Sequence, residues 1–305
     1  MSASADVTVI IATAARSERV EALKRAIASA RSQQPVPSVL VVVNGETFDA
    51  SLVEWLRSAD GVRYEYLATG SYPAAQRRGR ELVTSRYFCF LDDDDELLPD
   101  SIAVRLRRAE QHDSPDVVVG NGFRRNERGE FDHVERRPRG ADADLMLSLL
   151  EDNWFASPSP LFRTATIATR FFDGRTKYFE WTLLAFRILT EGLRMVLIED
   201  RCFRLHDTAD SLSKDERSIF ATPGVLTELL AMNVPDGIRA ELRRRRGGAF
   251  HECSDLEYRR GRYAAAWRYH LRSLCEPGGA KFLAYTRRLI VPGGNLDRRQ
   301  AGPAP

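Results

Sequence analysis

RYFCFLDDDDELLP, residues 86–99, joins a short apolar run (Tyr87, Phe88, Cys89, Phe90, Leu91) to four consecutive aspartates, Asp92, Asp93, Asp94 and Asp95, and then Glu96. The aromatic content and the length of the run predict a buried strand. Leu97, Leu98 and Pro99 then turn the chain toward a helix. A dense carboxylate cluster therefore stands where a buried strand leaves its sheet. Like charges this close repel and raise one another's pKa. A divalent cation relieves that repulsion, and Mg²⁺ and Mn²⁺ prefer carboxylate and phosphate oxygens. In open α/β sheets, ligands bind beyond the carboxyl ends of the strands. The competing reading is a solvated acidic turn that holds no metal.

Upstream of this stretch, VTVIIA (residues 7–12) and residues 39–43 are continuous β-branched runs, the pattern of strands covered on both faces. Residues 62–67 alternate like an edge strand. Helical spacing runs through 18–32, a short segment around Leu52, Val53 and Leu56, and 73–84. Strands alternating with helices predict a Rossmann-like, mostly parallel sheet flanked by helices, joined by right-handed crossovers. Downstream, 101–111 reads as an Arg-rich helix and 116–120 as a strand. Residues 126–140 read as a hairpin or mobile excursion, 143–150 as a short helix and 179–190 as an amphipathic helix. Residues 195–198 read as the last strand and 201–214 as a polar loop. From 219 to 291 the pattern is helical only. Leu226, Leu229 and Leu230, then Trp267, Leu271 and Leu274, are expected to pack, against the first domain or a partner. Residues 256–274 look like a single tetratricopeptide-type helix pair, and one copy is no repeat array. The Gly/Pro/Arg-rich end, 292–305, is expected to be disordered. The expected domains are therefore 1–218, a helical appendage at 219–291, and a tail.

Composition narrows the function classes. Of 305 residues, 43% are hydrophobic and 29% charged, which fits a soluble globular protein. A net charge of +2 gives no global field for nucleic acid. Cys89, Cys202, Cys253 and Cys275 have no metal-binding or redox spacing and read as reduced thiols of a cytoplasmic protein. The beginning lacks a basic region ahead of its apolar run, so it does not read as a signal peptide. No apolar run approaches the roughly 20 residues of a membrane span.

The order of elements over about residues 6–214 resembles a family 2 glycosyltransferase of the GT-A fold. The family's opening P-T-Y-N-R loop corresponds to Ala12-Thr13-Ala14-Ala15-Arg16, which keeps Thr13 and Arg16. The loop after the second strand, Asp-Asp-Gly-Ser in the family, is Val43-Asn44-Gly45-Glu46, with Val43 in place of the usual base-contacting Asp. The A-R-N-x-G helix becomes Ala75-Gln76-Arg77-Arg78-Gly79. Leu91-Asp92-Asp93-Asp94-Asp95 followed by Pro99 matches the D-x-D motif in its strand-flanked setting. Phe172-Asp173-Gly174 and Phe179-Glu180-Trp181 echo the family's later acidic passage, with Trp181 in the second acid position. Arg204-Leu205-His206-Asp207 to Ser211-Leu212-Ser213 resembles its closing R-x-H…S-x-S loop.

The resemblance implies a GT-A fold and an inverting transfer of a sugar from a nucleotide-diphosphate donor to an acceptor hydroxyl. It implies Mg²⁺ or Mn²⁺ on Asp92 and Asp94, with His206 as a third metal ligand or diphosphate contact. Thr13, Arg16, Asn44 and Arg77 would hold the donor, and Asp93 would lie near its ribose. Glu180 would be the base; a helix-start acid favoured by the dipole is the alternative role. Ser157-Pro158-Ser159 and Trp154 would lie on the acceptor side. His112, His133, His251 and His270 read as surface or packing residues. Two other functions stay open. One is a sugar-phosphate nucleotidyltransferase, which wants a Gly-rich loop after the first strand that residues 13–17 lack. The other is a degenerate member that binds nucleotide or carbohydrate without turnover, in view of Ala14, Ala15, Val43 and Trp181. A homo-oligomer or partner contact through the helical tail is also open.

Overall fold

The uninterrupted apolar runs at the start of the chain become the parallel half of one sheet. The computed structural model describes residues 6–111, 113–133, 138, 144–173, 178–207 and 216–290. The tail at 292–305, His112, Gly174 and the Ser211-to-Lys214 part of the closing loop lie outside the described residues. β1 (Val7–Thr13) and β2 (Ser38–Asn44) pair in parallel and are almost wholly buried. β3 (Val62–Leu67) adds to β2, and β4 (Tyr87–Phe90) to β1, both parallel. Helices α1 (Val20–Arg31), α2 (Ala50–Ser58) and α3 (Tyr72–Glu81) link these strands. β5 (Glu96–Leu97) and α4 (Ser101–Ala109) follow the acidic turn.

Beyond β4 the sheet becomes mixed. β6 (Val117–Asn126) forms a hairpin with β7 (Gly129–Asp132). After α5 (Leu145–Glu151), β8 (Pro160–Arg163) lies antiparallel between β4 and β6. After α6 (Glu180–Thr190), β9 (Met195–His206) runs parallel to β6 and antiparallel to β5. The order is β3-β2-β1-β4-β8-β6-β9-β5. Two strands were absent from the sequence reading, β5 and β8, and two were too short: β6 runs on to Asn126 and β9 to His206. Residues 201–206, read as polar loop, are the second half of β9. Their arginines make cross-strand ion pairs, Arg201 with Asp132 at 2.8 Å and Arg204 with Glu130, so polarity here marks strand pairing and not a loop.

The strand period of two splits β4 between two cores. Tyr87, Cys89 and Leu91 join Val9, Ile11, Val39 and Val41 and the buried faces of α1, α2 and α4 in one cluster. Phe88 and Phe90 project the other way into an aromatic cluster. Phe88 stacks on Phe162 with centroids 5.0 Å apart, and Phe90 meets Phe172 at 5.3 Å and Trp181 at 5.4 Å. On that second face α3 lies so close to β1 that a Cβ on Gly79 would stand 2.4 Å from Ile10 Cγ2. Alanine favours a helix interior over glycine by about 1 kcal/mol, but overpacking a core typically costs about 1–3 kcal/mol. Ile10 is fully buried and has no room to give way. Gly79→Ala is therefore expected to destabilise the protein by about 1–2 kcal/mol, read as a lower denaturant midpoint; a higher midpoint would contradict the close helix–strand approach.

The chain divides into two compact units, 1–211 and 212–305. All regular structure described in the second is helical: α7 (Arg217–Ala231), α8 (Asp236–Arg259), α9 (Tyr263–Leu274) and α10 (Leu283–Ile290), with one short 3-10 turn. Gly261, at φ +72°, makes the turn from α8 to α9. Leu226 and Leu229 are buried as expected, but Leu271 is 55% exposed. The buried seam of α9 is Ala266, His270 and Ser273 instead. Small residues there allow close helix approach, and Ser254 Oγ donates to the Ala266 carbonyl at 2.8 Å. His251 stacks on Phe282 at 4.2 Å, which makes it a packing residue.

Candidate active site

Four aspartates that look equivalent in sequence take four different sets of partners. β4 ends at Phe90, and Asp95 N–H closes a turn onto the Asp92 carbonyl at 3.1 Å. Asp92 Oδ1 accepts from Tyr72 OH at 2.5 Å and from Ser157 Oγ at 2.8 Å. Asp93 Oδ2 accepts from Thr13 Oγ1 at 2.6 Å. Asp94 Oδ2 meets Arg19 Nη1 at 2.5 Å, and the same nitrogen is 3.6 Å from Asp93. Asp95, only 4% exposed, accepts from the His206 backbone N–H at 2.9 Å. β8 brings Ser157 here because it runs antiparallel to β4, so the residues before Pro160 arrive at the edge where β4 ends.

Burial of these carboxyl groups is the main electrostatic fact of the site. Desolvation, with the neighbouring Asp94 and Asp93 charges, lifts Asp92 to about 7, against the bonds from Tyr72 and Ser157. Desolvation also raises Asp93, opposed by Thr13 and Arg19, and raises Asp95 well above the ordinary carboxylate range. The Tyr72 phenol is pushed well up by burial and by the Asp92 charge, so it stays a donor. Mutual repulsion among such carboxylates is what a bound cation would relieve.

A buried framework holds the turn in place. Arg105, fully buried on α4, donates from Nη1 to the Pro158 carbonyl at 3.1 Å and from Nη2 to Ser101 Oγ at 2.7 Å. It thereby fixes the loop that carries Ser157. His206, at the end of β9, has its Nε2 2.6 Å from Glu96 Oε1. Only Nδ1 is left to face a metal. Among the described residues no three His, Cys, Asp or Glu side chains converge as a metal site, so Asp92, Asp94 and His206 do not form a three-ligand cage.

The residues expected to hold a donor fall into two groups. Thr13 is buried and also accepts from the Ala15 N–H at 2.9 Å, while Asn44 Nδ2 donates to the Thr13 carbonyl at 2.9 Å. Both shape the loop after β1. Arg16 is exposed and lines an open groove of about 330 Å³ with Ser17, Glu18, Thr47, Phe48 and Asp49, just past β1 and β2. Val43 is buried in the core and does not reach this groove. Arg77 stands apart, half exposed, with Nη1 2.9 Å from Asp173.

Glu180 opens α6, and its Oε1 accepts from the Tyr178 N–H at 3.1 Å. Its charge acts on Tyr72, the residue that donates to Asp92. It lines a small cavity of about 20 Å³ with Pro73, Gln76 and Trp181, room for about one water. None of the four aspartates lines that cavity. Trp154, placed by its sequence position on the acceptor side, is 1% exposed and donates from Nε1 to Ser148 Oγ at 3.1 Å. It is a core residue and offers no face to a sugar. Asp173, in the Phe-Asp-Gly stretch, pairs with Arg77. Tyr72, Arg19 and Arg105 were not legible as site residues, because each meets the turn only through the fold.

The family described as glycosyl transferase family 2 matches residues 8–179, more than half of the chain. No curated protein matches the sequence. Among solved structures, residues 1–349 of S. aureus TarS in complex with UDP-GlcNAc are similar at a TM-score of 0.60 and 14% identity, covering 88% of this chain and 81% of that one. The same TarS segment in complex with UDP gives 0.59 and 14%, over 94% and 92%. Without ligand it gives 0.55 and 16%, over 85% and 74%. At these identities the likeness shows a common fold. No described helix is long and apolar enough to cross a membrane.

Proposed function

We propose that this chain, a member of glycosyl transferase family 2, transfers a sugar from a nucleotide-diphosphate donor to an acceptor hydroxyl at the acidic turn 92–95, with a divalent cation and inversion. The observation that carries the reading is the set of buried, mutually repelling carboxylates at the carboxyl edge of the parallel strands. Asp92 and Asp94 suit Mg²⁺ or Mn²⁺, which are commonly held by one or two carboxylates plus substrate phosphate oxygens. When bound, such an ion offsets the charge that builds on a diphosphate leaving group.

The chain's own residues would do the rest. The groove at Arg16 and Phe48 offers a cation and an aromatic ring to a nucleotide. Thr13 orients Asp93, the candidate ribose contact, and Asn44 steadies the Thr13 loop. Tyr72 and Ser157 fix one oxygen of Asp92, which leaves the other directed by them. His206 braces the turn through Asp95 and Glu96 and keeps Nδ1 for a ligand. Arg77 would reach the donor only by leaving Asp173. Glu180, beside Tyr72, would take the acceptor's proton as the hydroxyl attacks from the face opposite the leaving group, which inverts the anomeric centre.

Thermal shift against nucleoside diphosphates, with and without Mn²⁺, tests the donor reading. UDP and UDP-GlcNAc are the first probes, being the ligands in the TarS structures. A ligand at 100 times its Kd stabilises by about 2.7 kcal/mol. At about 2–4 °C per kcal/mol for a unit of 150–250 residues, the size of the unit 1–211, the expected rise is roughly 5–10 °C and needs Mn²⁺. No rise with any nucleoside diphosphate in Mn²⁺ would overturn the donor site. A rise without hydrolysis or transfer of any sugar nucleotide would favour the non-catalytic binding role.

A further inference from the structure

We infer that Arg19 competes with the divalent cation for Asp94, so that the acidic turn takes the ion together with a diphosphate and only weakly alone. The inference rests on the proposed metal role of Asp94. Arg19 ends the 3-10 turn Ser17–Arg19 that leads into α1. Its Nη1 lies 2.5 Å from Asp94 Oδ2 and 3.6 Å from Asp93 Oδ1. The side chains are 29%, 19% and 18% exposed, so the contact is partly withdrawn from water and less screened than a surface pair. A second arginine, on α1 itself, fixes the approach: Arg25 Nη2 donates to the Asp94 carbonyl at 2.9 Å, and its Nε is 3.1 Å from Glu96.

A guanidinium is charged at all working pH values, so it occupies the carboxylate at any pH where the carboxylate is ionised. The guanidinium 2.5 Å from Oδ2 already offsets the charge that Asp94 would offer an ion, even one bound through Oδ1. An ion arriving alone either displaces Arg19 from its carboxylate or sits beside a second cation. A diphosphate removes both penalties, because phosphate oxygens accept the released guanidinium in a fork and also complete the coordination of the ion. Arg19 would thus pass from Asp94 to the donor, and ion and diphosphate would each tighten the other by one factor, as linkage requires.

Mn²⁺ binding to the full chain, followed by the electron paramagnetic resonance of free Mn²⁺, reads this without any turnover. Wild type, Arg19→Ala, Asp94→Asn and the double variant are each titrated with Mn²⁺ alone and with Mn²⁺ at saturating UDP, the latter referenced to UDP without protein because UDP itself chelates Mn²⁺. Coupling free energies of this kind commonly correspond to about 5–150-fold. Wild type is expected to bind Mn²⁺ at least about 5-fold tighter with UDP than without. Arg19→Ala should bind Mn²⁺ alone at least about 5-fold tighter than wild type and gain less from UDP. The gain must vanish in Arg19→Ala/Asp94→Asn, with the fold of each variant checked by circular dichroism. Unchanged Mn²⁺ affinity in Arg19→Ala, while Asp94→Asn abolishes binding in the presence of UDP, overturns the competition and leaves the metal site standing. UDP-supported Mn²⁺ binding that survives Asp94→Asn, or is absent from wild type, overturns the metal role itself and this inference with it.

Discussion

Asp94→Asn is expected to lower sugar transfer by about 10²–10⁴-fold while the protein melts close to the wild-type temperature. The size follows from electrostatics at a leaving diphosphate: a bound cation supplies several kcal/mol of charge stabilisation, and each 1.36 kcal/mol is a factor of ten in rate. The small effect on stability follows from the position of the residue. Asp94 lies at a strand end, its side chain is 19% exposed, and its partner is Arg19. Without Asp94, Arg19 still has Asp93 at 3.6 Å, so the guanidinium is not left unpaired. Removing one negative charge also relieves Asp92 and Asp95, both of which Asp94 pushes upward. The two effects oppose each other. Diphosphate binding that depends on Mn²⁺ in wild type should lose that dependence in the variant. A variant that binds UDP and Mn²⁺ as wild type does would show that the cation sits elsewhere.

The same turn shows what could be read from the sequence and what could not. β1, β2, β3 and β4 were legible because β-branched and aromatic runs have few other fates. The place of the acidic run was legible because a run directly after such a strand has to stand at the sheet's edge. β8 was hidden by Pro160 and by its length of four residues, which leave too short a run to show a period. The polar half of β9 was hidden because its arginines face carboxylates on other strands, a partnership set by sheet order and not by local pattern.

The division of labour among the aspartates was hidden for a related reason. Tyr72 stands 20 residues before Asp92, Ser157 stands 65 after it, and Arg19 stands 75 before Asp94. No local rule joins such positions; the crossovers and the antiparallel β8 do. Trp154 is the opposite case. Its place between β4 and α6 suggested the acceptor side, but an indole needs only one hydrogen bond to be buried, and Ser148 supplies it.

Glu180→Gln is expected to lower turnover by about 10²–10⁴-fold, the usual cost of losing a general base, with donor binding near wild type. The substitution is informative because of what it preserves. Glu180 Oε1 accepts from the Tyr178 N–H, and a glutamine oxygen can accept in its place. The start of α6 therefore keeps its local bond, and a loss in rate reports on proton acceptance. None of the four aspartates lines its cavity, and the variant is expected to leave Mn²⁺ and UDP affinities near wild type. That separates it from Asp94→Asn, in which binding and rate fall together. The cavity beside Glu180 holds about 20 Å³, far less than a sugar ring needs. An acceptor therefore has to be admitted by movement around Pro73 and Trp181, and saturation with acceptor should be slower than donor binding in stopped-flow. The rival carboxylate is Asp173, which pairs with Arg77 at 2.9 Å in an exposed position. If Glu180→Gln kept wild-type turnover and Asp173→Asn lost it, the base would be Asp173, and the Arg77 pair would be the bond that donor binding has to break.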